Sequence, residues 1–182
     1  MKKLSFALAL TIVAASAAFA QVSTFPGLNA DSKKQLASAK KSTAFALPTW
    51  LPKGFAVSQV HSVLGRKVKL EDKQLVIVYS RKLADGGLQR FAFEAGFDGI
   101  GDLMYEGGKK LKTPIGSVHL YYQPKDEDGK KLADFAMTEW FDVGSTAFHY
   151  IGTYGTEEEA GDSLVMLSLA DTEKILRSLK RY

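Results

Sequence analysis

The chain has 182 residues, 24 Lys and Arg against 20 Asp and Glu, a formal net charge of +4 and no cysteine. The missing cysteine excludes disulfides, thiol catalysis, thiolate metal sites and acylation of a cysteine as in lipoproteins. The small positive excess is scattered as Lys33-Lys34, Lys40-Lys41, Lys109-Lys110 and Lys130-Lys131, with Glu157-Glu158-Glu159 elsewhere; without a basic stripe to neutralise a row of phosphates, no nucleic-acid partner is expected.

The first twenty residues read as a targeting segment. Lys2 and Lys3 form a basic start, Leu4 to Phe19 is mostly apolar, and Ala18-Phe19-Ala20 supplies the small residues of a signal-peptidase site. Cleavage is expected after Ala20. A retained anchor would want about 20 apolar residues, and this run is shorter and alanine-rich, so the expected location is the periplasm or outside the cell, with no stable membrane anchor. Residues 21–47 read as an N-terminal arm and short helix, with Gln21 to Asn29 loose. Asn29 or Asp31 is placed to cap a helix reaching about Lys40, carrying Leu36 and Ala39 on one side.

The main body is expected over residues 48–182, a single domain. At about 150 residues a domain buries roughly 70% of its unfolded surface, enough to stand without staples. It opens on Pro48-Thr49-Trp50-Leu51-Pro52-Lys53-Gly54-Phe55. Two prolines stiffen this stretch in an extended form, Trp50, Leu51 and Phe55 anchor it, and Gly54 permits a positive φ. It should lock onto a sheet.

Strand signals follow. Val57, Val60 and Val63 make a first, unevenly patterned strand, with Leu64-Gly65 as its turn. Gln74 to Arg81 is the clearest buried strand, β-branched and apolar on both faces. Asp85-Gly86-Gly87 turns the chain into Leu88 to Ala95, with Phe91 and Phe93 facing away from Arg90, Ala92 and Glu94. Gly96 to Gly108 holds five glycines and reads as a loop. Ile115 to Gln123 sets Val118, Leu120 and Tyr122 against His119 and Tyr121. After Asp126-Glu127-Asp128-Gly129, Lys131 to Phe141 pairs Leu132, Ala136 and Trp140 against Phe135, Met137 and Phe141. Asp142-Val143-Gly144-Ser145 reverses the chain into Thr146 to Tyr154. The close is helical: Ser168 and Asp171 suggest a capping box, and Leu169, Ile175, Leu176 and Leu179 recur at helical spacing, with Lys180 and Arg181 in the last turn. The fold class predicted is α+β, an antiparallel, hairpin-connected β-sheet of about six strands packed by a C-terminal helix, with a short N-terminal helix.

Three features together carry a resemblance. They are Pro48-x-x-Leu51-Pro52-x-Gly54-Phe55, then Trp140 before a hairpin returning through Phe148-His149-Tyr150-Ile151-Gly152, and the terminal Ala170-Asp171-Thr172-Glu173-Lys174-Ile175-Leu176-Arg177-Ser178-Leu179-Lys180. In that order, over about Pro48 to Lys180, the chain resembles an uncharacterised family of bacterial extracytoplasmic domains often attached to anti-sigma factors. More distantly it is similar to the C-terminal domain of periplasmic sigma-E regulators. The resemblance implies a sensory or interaction module and transfers no catalytic residue. No cytoplasmic sigma-binding part is expected in this chain, and so no direct role in transcriptional signalling.

His61, His119 and His149 fall on different predicted strands, and only spatial convergence would let them share a metal. Their spacing does not require one, so no metal ligand and no cofactor is assigned. Asp98-Gly99-Ile100-Gly101-Asp102 and Asp126-Glu127-Asp128-Gly129 lack a complete phosphate- or calcium-loop pattern. Ser145 beside Gly144 is not a nucleophile elbow. Carboxylate pairs such as Glu94 with Asp98, or Glu139 with Asp142, are no more than 20 acidic residues produce by chance, so no catalytic residue is assigned.

The strand aromatics point further. One helix of about 18 Å cannot cover six strands at about 4.8 Å spacing. An uncovered face would be a groove, lined by Tyr121, Trp140, Phe148 and Tyr150 as candidate ligand-binding residues, whereas a covered one would be core. The function expected is an exported, non-enzymatic binding or sensory module, in envelope monitoring, recognising a partner protein or a small apolar ligand. The contrasting reading is a periplasmic metal-dependent or hydrolytic enzyme using strand histidines. A third is an exposed edge strand that pairs with another chain.

Overall fold

The computed structural model describes residues 25–98, 108–125, 128–130, 135–155 and 164–182. The predicted leader and its cleavage site, residues 99–107 of the glycine-rich stretch, Asp126-Glu127 and Glu157-Glu158-Glu159 lie outside the described residues.

The first helix, α1 (Ala30–Ala39), begins where Asn29 accepts from the Ser32 amide at 2.8 Å while the Ser32 hydroxyl receives the Asn29 amide at 2.9 Å. That reciprocal pair satisfies two orphan donors at once. Leu36 and Ala39 face inward and are buried. From Phe25 on, the stretch before α1 is docked rather than loose: Phe25 is buried, its ring 5.2 Å from that of Tyr182. Strand β1 (Ala46–Pro48) follows, then β2 (Ala56–Val63), β3 (Gln74–Lys82), β4 (Leu88–Gly96), β5 (Lys109–Thr113), β6 (Gly116–Tyr122), β7 (Ala136–Thr138), β8 (Phe141–Val143) and β9 (Thr146–Ile151). Helix α2 (Leu169–Arg177) and strand β10 (Leu179–Arg181) close the chain.

The α+β class is as read from the sequence, but among the described residues the strands number ten rather than about six. Eight form one antiparallel sheet in the order β2-β3-β4-β9-β7-β6-β5, with β8 also paired to β9. The other two, β1 and β10, make a separate ribbon. The proline-rich lead-in locks onto both: Pro48 pairs with Leu179 of the C-terminal strand, while Phe55 packs on Phe91 at 5.2 Å and Lys53 O accepts from Arg81 at 2.9 Å on the main sheet. Thr49 N donates to Ser178 O at 3.0 Å, Tyr182 N to Phe45 O at 3.0 Å, and the Lys174 ammonium lies 4.0 Å from the Trp50 ring centroid. Gly54 takes a φ of +92°, as the turn after Pro52 requires.

Three departures from the predicted elements have local causes. β5 carries no strand signal in the sequence, because Lys109, Lys110 and Lys112 leave Leu111 as its one sizeable apolar side chain; it is a charged edge strand. The predicted strand over Lys131 to Phe141 has its first residues outside the described set, and its remainder breaks at Glu139-Trp140. Ala136 and Thr138 point into the core before the break, and Phe141 and Val143 after it. An added residue of this kind reverses a period-2 pattern, as at a β-bulge, so Trp140 leaves the face predicted for it. The terminal helix stops at Arg177, putting Leu179, Lys180 and Arg181 in β10 while Leu169 is 39% exposed.

One face of the large sheet carries Leu75, Ile77, Tyr79, Phe91, Phe93, Phe148 and Tyr150, all buried. Its rings interlock: Phe93 and Phe148 stack at 5.6 Å and 4°, and Tyr79 and Phe91 at 4.9 Å and 8°. Over it lie α1, α2 and the β1–β10 ribbon, contributing Leu36, Phe45, Leu47, Ile175, Leu176 and Leu179. A single helix could not have closed this face; two helices and a ribbon do. None of the described helices is long and apolar enough to cross a membrane.

Candidate functional site

Placement of the four candidate residues divides them. Phe148 and Tyr150 are fully buried in the aromatic core under the helices, which corrects their assignment to a ligand groove. Tyr121 and Trp140 point to the opposite face of the sheet. There they join residues that the sequence offered only as chance pairs.

Alternation on β4 and β9 sends Glu94 and His149 to this far face, and the two are direct cross-strand partners. His149 Nε2 stands 3.3 Å from Glu94 Oε2, and the Trp140 ring stacks on the imidazole at 3.8 Å with 19° between the planes. His149 is 6% exposed, and its Nδ1 is buried without a hydrogen-bond partner. Two strands away, His119 Nδ1 lies 3.2 Å from Glu139 Oε1, and the Tyr121 hydroxyl donates to the same oxygen at 2.6 Å. That bond to Glu139, with burial behind it, pushes the Tyr121 phenol up to about 12. A Cβ on Gly108 would meet Tyr121 Cε1 at 2.6 Å and His119 Nε2 at 2.9 Å, so the backbone there presses directly on both rings.

The band thus runs across β4, β9, β7 and β6 as Glu94, His149, Trp140, Glu139, His119 and Tyr121. At one end it opens on a cleft of about 460 Å³ lined by Glu71, Asp72, Glu94, Asp98, Lys73 and Trp140, among others. Such a wall offers an aromatic face and carboxylate acceptors, suited to hydrogen-bond donors and cations.

The histidines do not converge. His61 lies exposed on edge strand β2, while His119 and His149 each hold a separate glutamate. Among the described residues, no three His, Asp or Glu side chains lie close enough to hold a metal ion. Ser145 is exposed in the β8–β9 turn, in a second cleft whose lining contains neither histidine nor carboxylate. Compared with family models, curated proteins and solved structures, the chain gives no significant match.

Sequence reasoning passed over Glu94 and Glu139 as partners. Facing within each strand was readable, since Glu94 was set opposite Phe93 and His119 opposite Leu120. What brings Glu94 to His149 is the β4–β9 pairing of residues 55 apart in the chain, and no local pattern encodes that.

Proposed function

We propose that this chain is an exported, non-enzymatic recognition module that docks a partner protein on the far face of its sheet, in keeping with the sensory role its resemblance implies. The observation that carries this reading is the half-exposed Trp140 ring, held rigid on His149 beside the carboxylate-lined cleft. Tryptophan set in a fixed pocket and ringed by polar groups is the commonest kind of binding anchor. The cleft's acids favour a partner segment bearing Lys or Arg. The apolar-ligand alternative loses support, because the aromatic face that would have formed its groove is filled by the protein's own side chains.

The test starts from capture on immobilised wild-type chain in an envelope extract, with identification of what is retained. The retained protein, purified, should bind wild type and lose about tenfold or more in affinity to Trp140→Ala, as for an anchor residue. Glu94→Gln should weaken it less. A partner that binds all variants equally, or none that rebinds when pure, would defeat the reading.

A second reading has its own observation. Glu94 bonded to His149 Nε2 makes an oriented carboxylate–imidazole pair, whose buried Nδ1 would have to be uncovered to serve as a base. It calls for hydrolysis of a model ester or phosphoester that disappears in both His149→Gln and Glu94→Gln.

A further inference from the structure

A second cleft, of about 360 Å³, opens where the end of α1, the β2–β3 loop and the β8–β9 turn meet. Its lining includes Lys41, Arg66 and Lys73, and the hydroxyls of Ser42, Thr43, Ser145 and Thr146. No carboxylate lines it, and none of the three cations is ion-paired among the described residues. Lys41 and Arg66 face this concavity alone, while Lys73 is shared with the acidic cleft beside it; positive side chains around one concavity raise its potential and favour an anion.

Thr43 and Thr146 make the site more than a cluster of surface cations. Their Oγ1 atoms are 2.7 Å apart, and Thr146 is 5% exposed. Whichever hydroxyl donates, the pair uses one of its two O–H protons and keeps the other. Both threonines line the cleft, as do Arg66 and Lys73. The planar fork of a guanidinium matches two oxygens of a tetrahedral oxyanion, while lysines add point charge. Leu64 and Phe97 complete the lining with apolar surface. The volume falls at the lower end of small-molecule sites, room for an oxyanion and a modest carbon group.

We infer that this cleft binds an organic oxyanion, a phosphate or sulfate monoester, with its charged head on Arg66, Lys73 and the Thr43–Thr146 pair and its carbon part on Leu64 and Phe97. The site adjoins the far-face cleft, since Lys73 and Phe97 line both, but Arg66, Thr43 and Thr146 line this one alone, and their variants separate its failure from that of the far-face reading.

The probes are phenyl phosphate, phenyl sulfate and inorganic phosphate, titrated calorimetrically into the purified full chain at low salt. At least one ester should bind with a dissociation constant on the order of 1 mM or tighter, about tenfold better than inorganic phosphate. The tighter ester identifies the head group. Thr146→Val, which keeps the buried shape, should weaken ester binding about fivefold. The double variant Arg66→Gln/Lys73→Gln should weaken it tenfold or more, and Phe97→Leu should cut ester affinity but spare inorganic phosphate. Lys33→Gln/Lys34→Gln, on α1 away from the cleft, should bind as wild type. No heat from either ester at about 10 mM, inorganic phosphate binding as well as the esters, or equal loss in the Lys33/Lys34 control would each overturn the assignment.

Discussion

The hydroxyl of Tyr79 is buried in the aromatic core with no hydrogen-bond partner, and burial raises its pKa far above the ordinary phenol value. A buried, unmade hydrogen bond costs about 1–3 kcal/mol, so Tyr79→Phe is expected to be more stable at pH 7 by about 1 kcal/mol after the small void is counted. The pH dependence follows from the direction of the shift. In the unfolded chain the phenol ionises near 10; in the folded chain it stays protonated well beyond that. Stability is therefore unaffected by this titration below pH 10 and falls above it, at a slope of up to about 1.4 kcal/mol per pH unit. Tyr121, held near 12, adds a second loss between pH 10 and 12. Urea unfolding of wild type and Tyr79→Phe at pH 7, 10 and 11 measures both effects, since lysine titration cancels in the difference. A variant that is less stable at pH 7, or whose stability falls as steeply as wild type above pH 10, contradicts the account. Nothing in the sequence separates Tyr79 from Tyr121, because the environment of each hydroxyl is set by strands far away in the chain.

Among the elements, the ends of strands and helices were the least readable. The leucine spacing over residues 169–179 looks like one helical stripe, yet Leu169 is 39% exposed while Leu179 is fully buried on β10. Ser178 ends the helix: its amide bonds back to Lys174 O and Ile175 O, and its hydroxyl reaches Ile175 O at 2.8 Å. The next residues then pair with β1. That pairing is worth more to them than another turn, because it puts Leu179 into the core and satisfies the edge of Ala46–Pro48. A three-residue strand has no period to detect, and its partner lies about 130 residues upstream, so only the burial of Leu179 was legible, not its conformation. Leu179→Ala is expected to cost about 2–5 kcal/mol through transfer and cavity terms. Leu169→Ala should stay within about 0.5 kcal/mol, as for a surface site. Equal costs in chemical denaturation would restore the continuous helix. By contrast α1 and the core strand β3 were readable, the first from its Asn cap and the second from its unbroken β-branched run.

For the whole molecule, the open question is how an eight-stranded sheet with two edges avoids pairing with other chains. The two edges are unlike. Strand β2 has no charged residue from Ala56 to Val63, but it is shifted in register between Val57 and Gln59, and Val57 N is taken by Gly27 O at 2.8 Å. A bulge and a covering turn of this kind blunt an edge without charge. Strand β5, at the other side, is regular along its whole pairing with β6; Arg177 of α2 donates to Lys112 O at 3.3 Å, and the Lys110 and Lys112 side chains are both exposed. A second β5 laid antiparallel would bring these lysines against one another, and like charges directly opposite destabilise a pair by roughly 0.2–1 kcal/mol each. Lysine on an edge strand therefore works against self-association. Lys109 is differently employed, bonded to Glu173 of α2 at 2.6 Å, and so is left in place. In the double variant Lys110→Thr/Lys112→Thr, β-propensity rises and the repulsion goes, while Leu111 keeps the strand seated. Sedimentation velocity over a range of concentrations should show the variant associating more strongly than wild type, and added salt, by screening the lysines, should move wild type the same way. If the variant sediments as wild type throughout, β5 is protected by shape rather than by charge, and the lysines there are surplus to the fold.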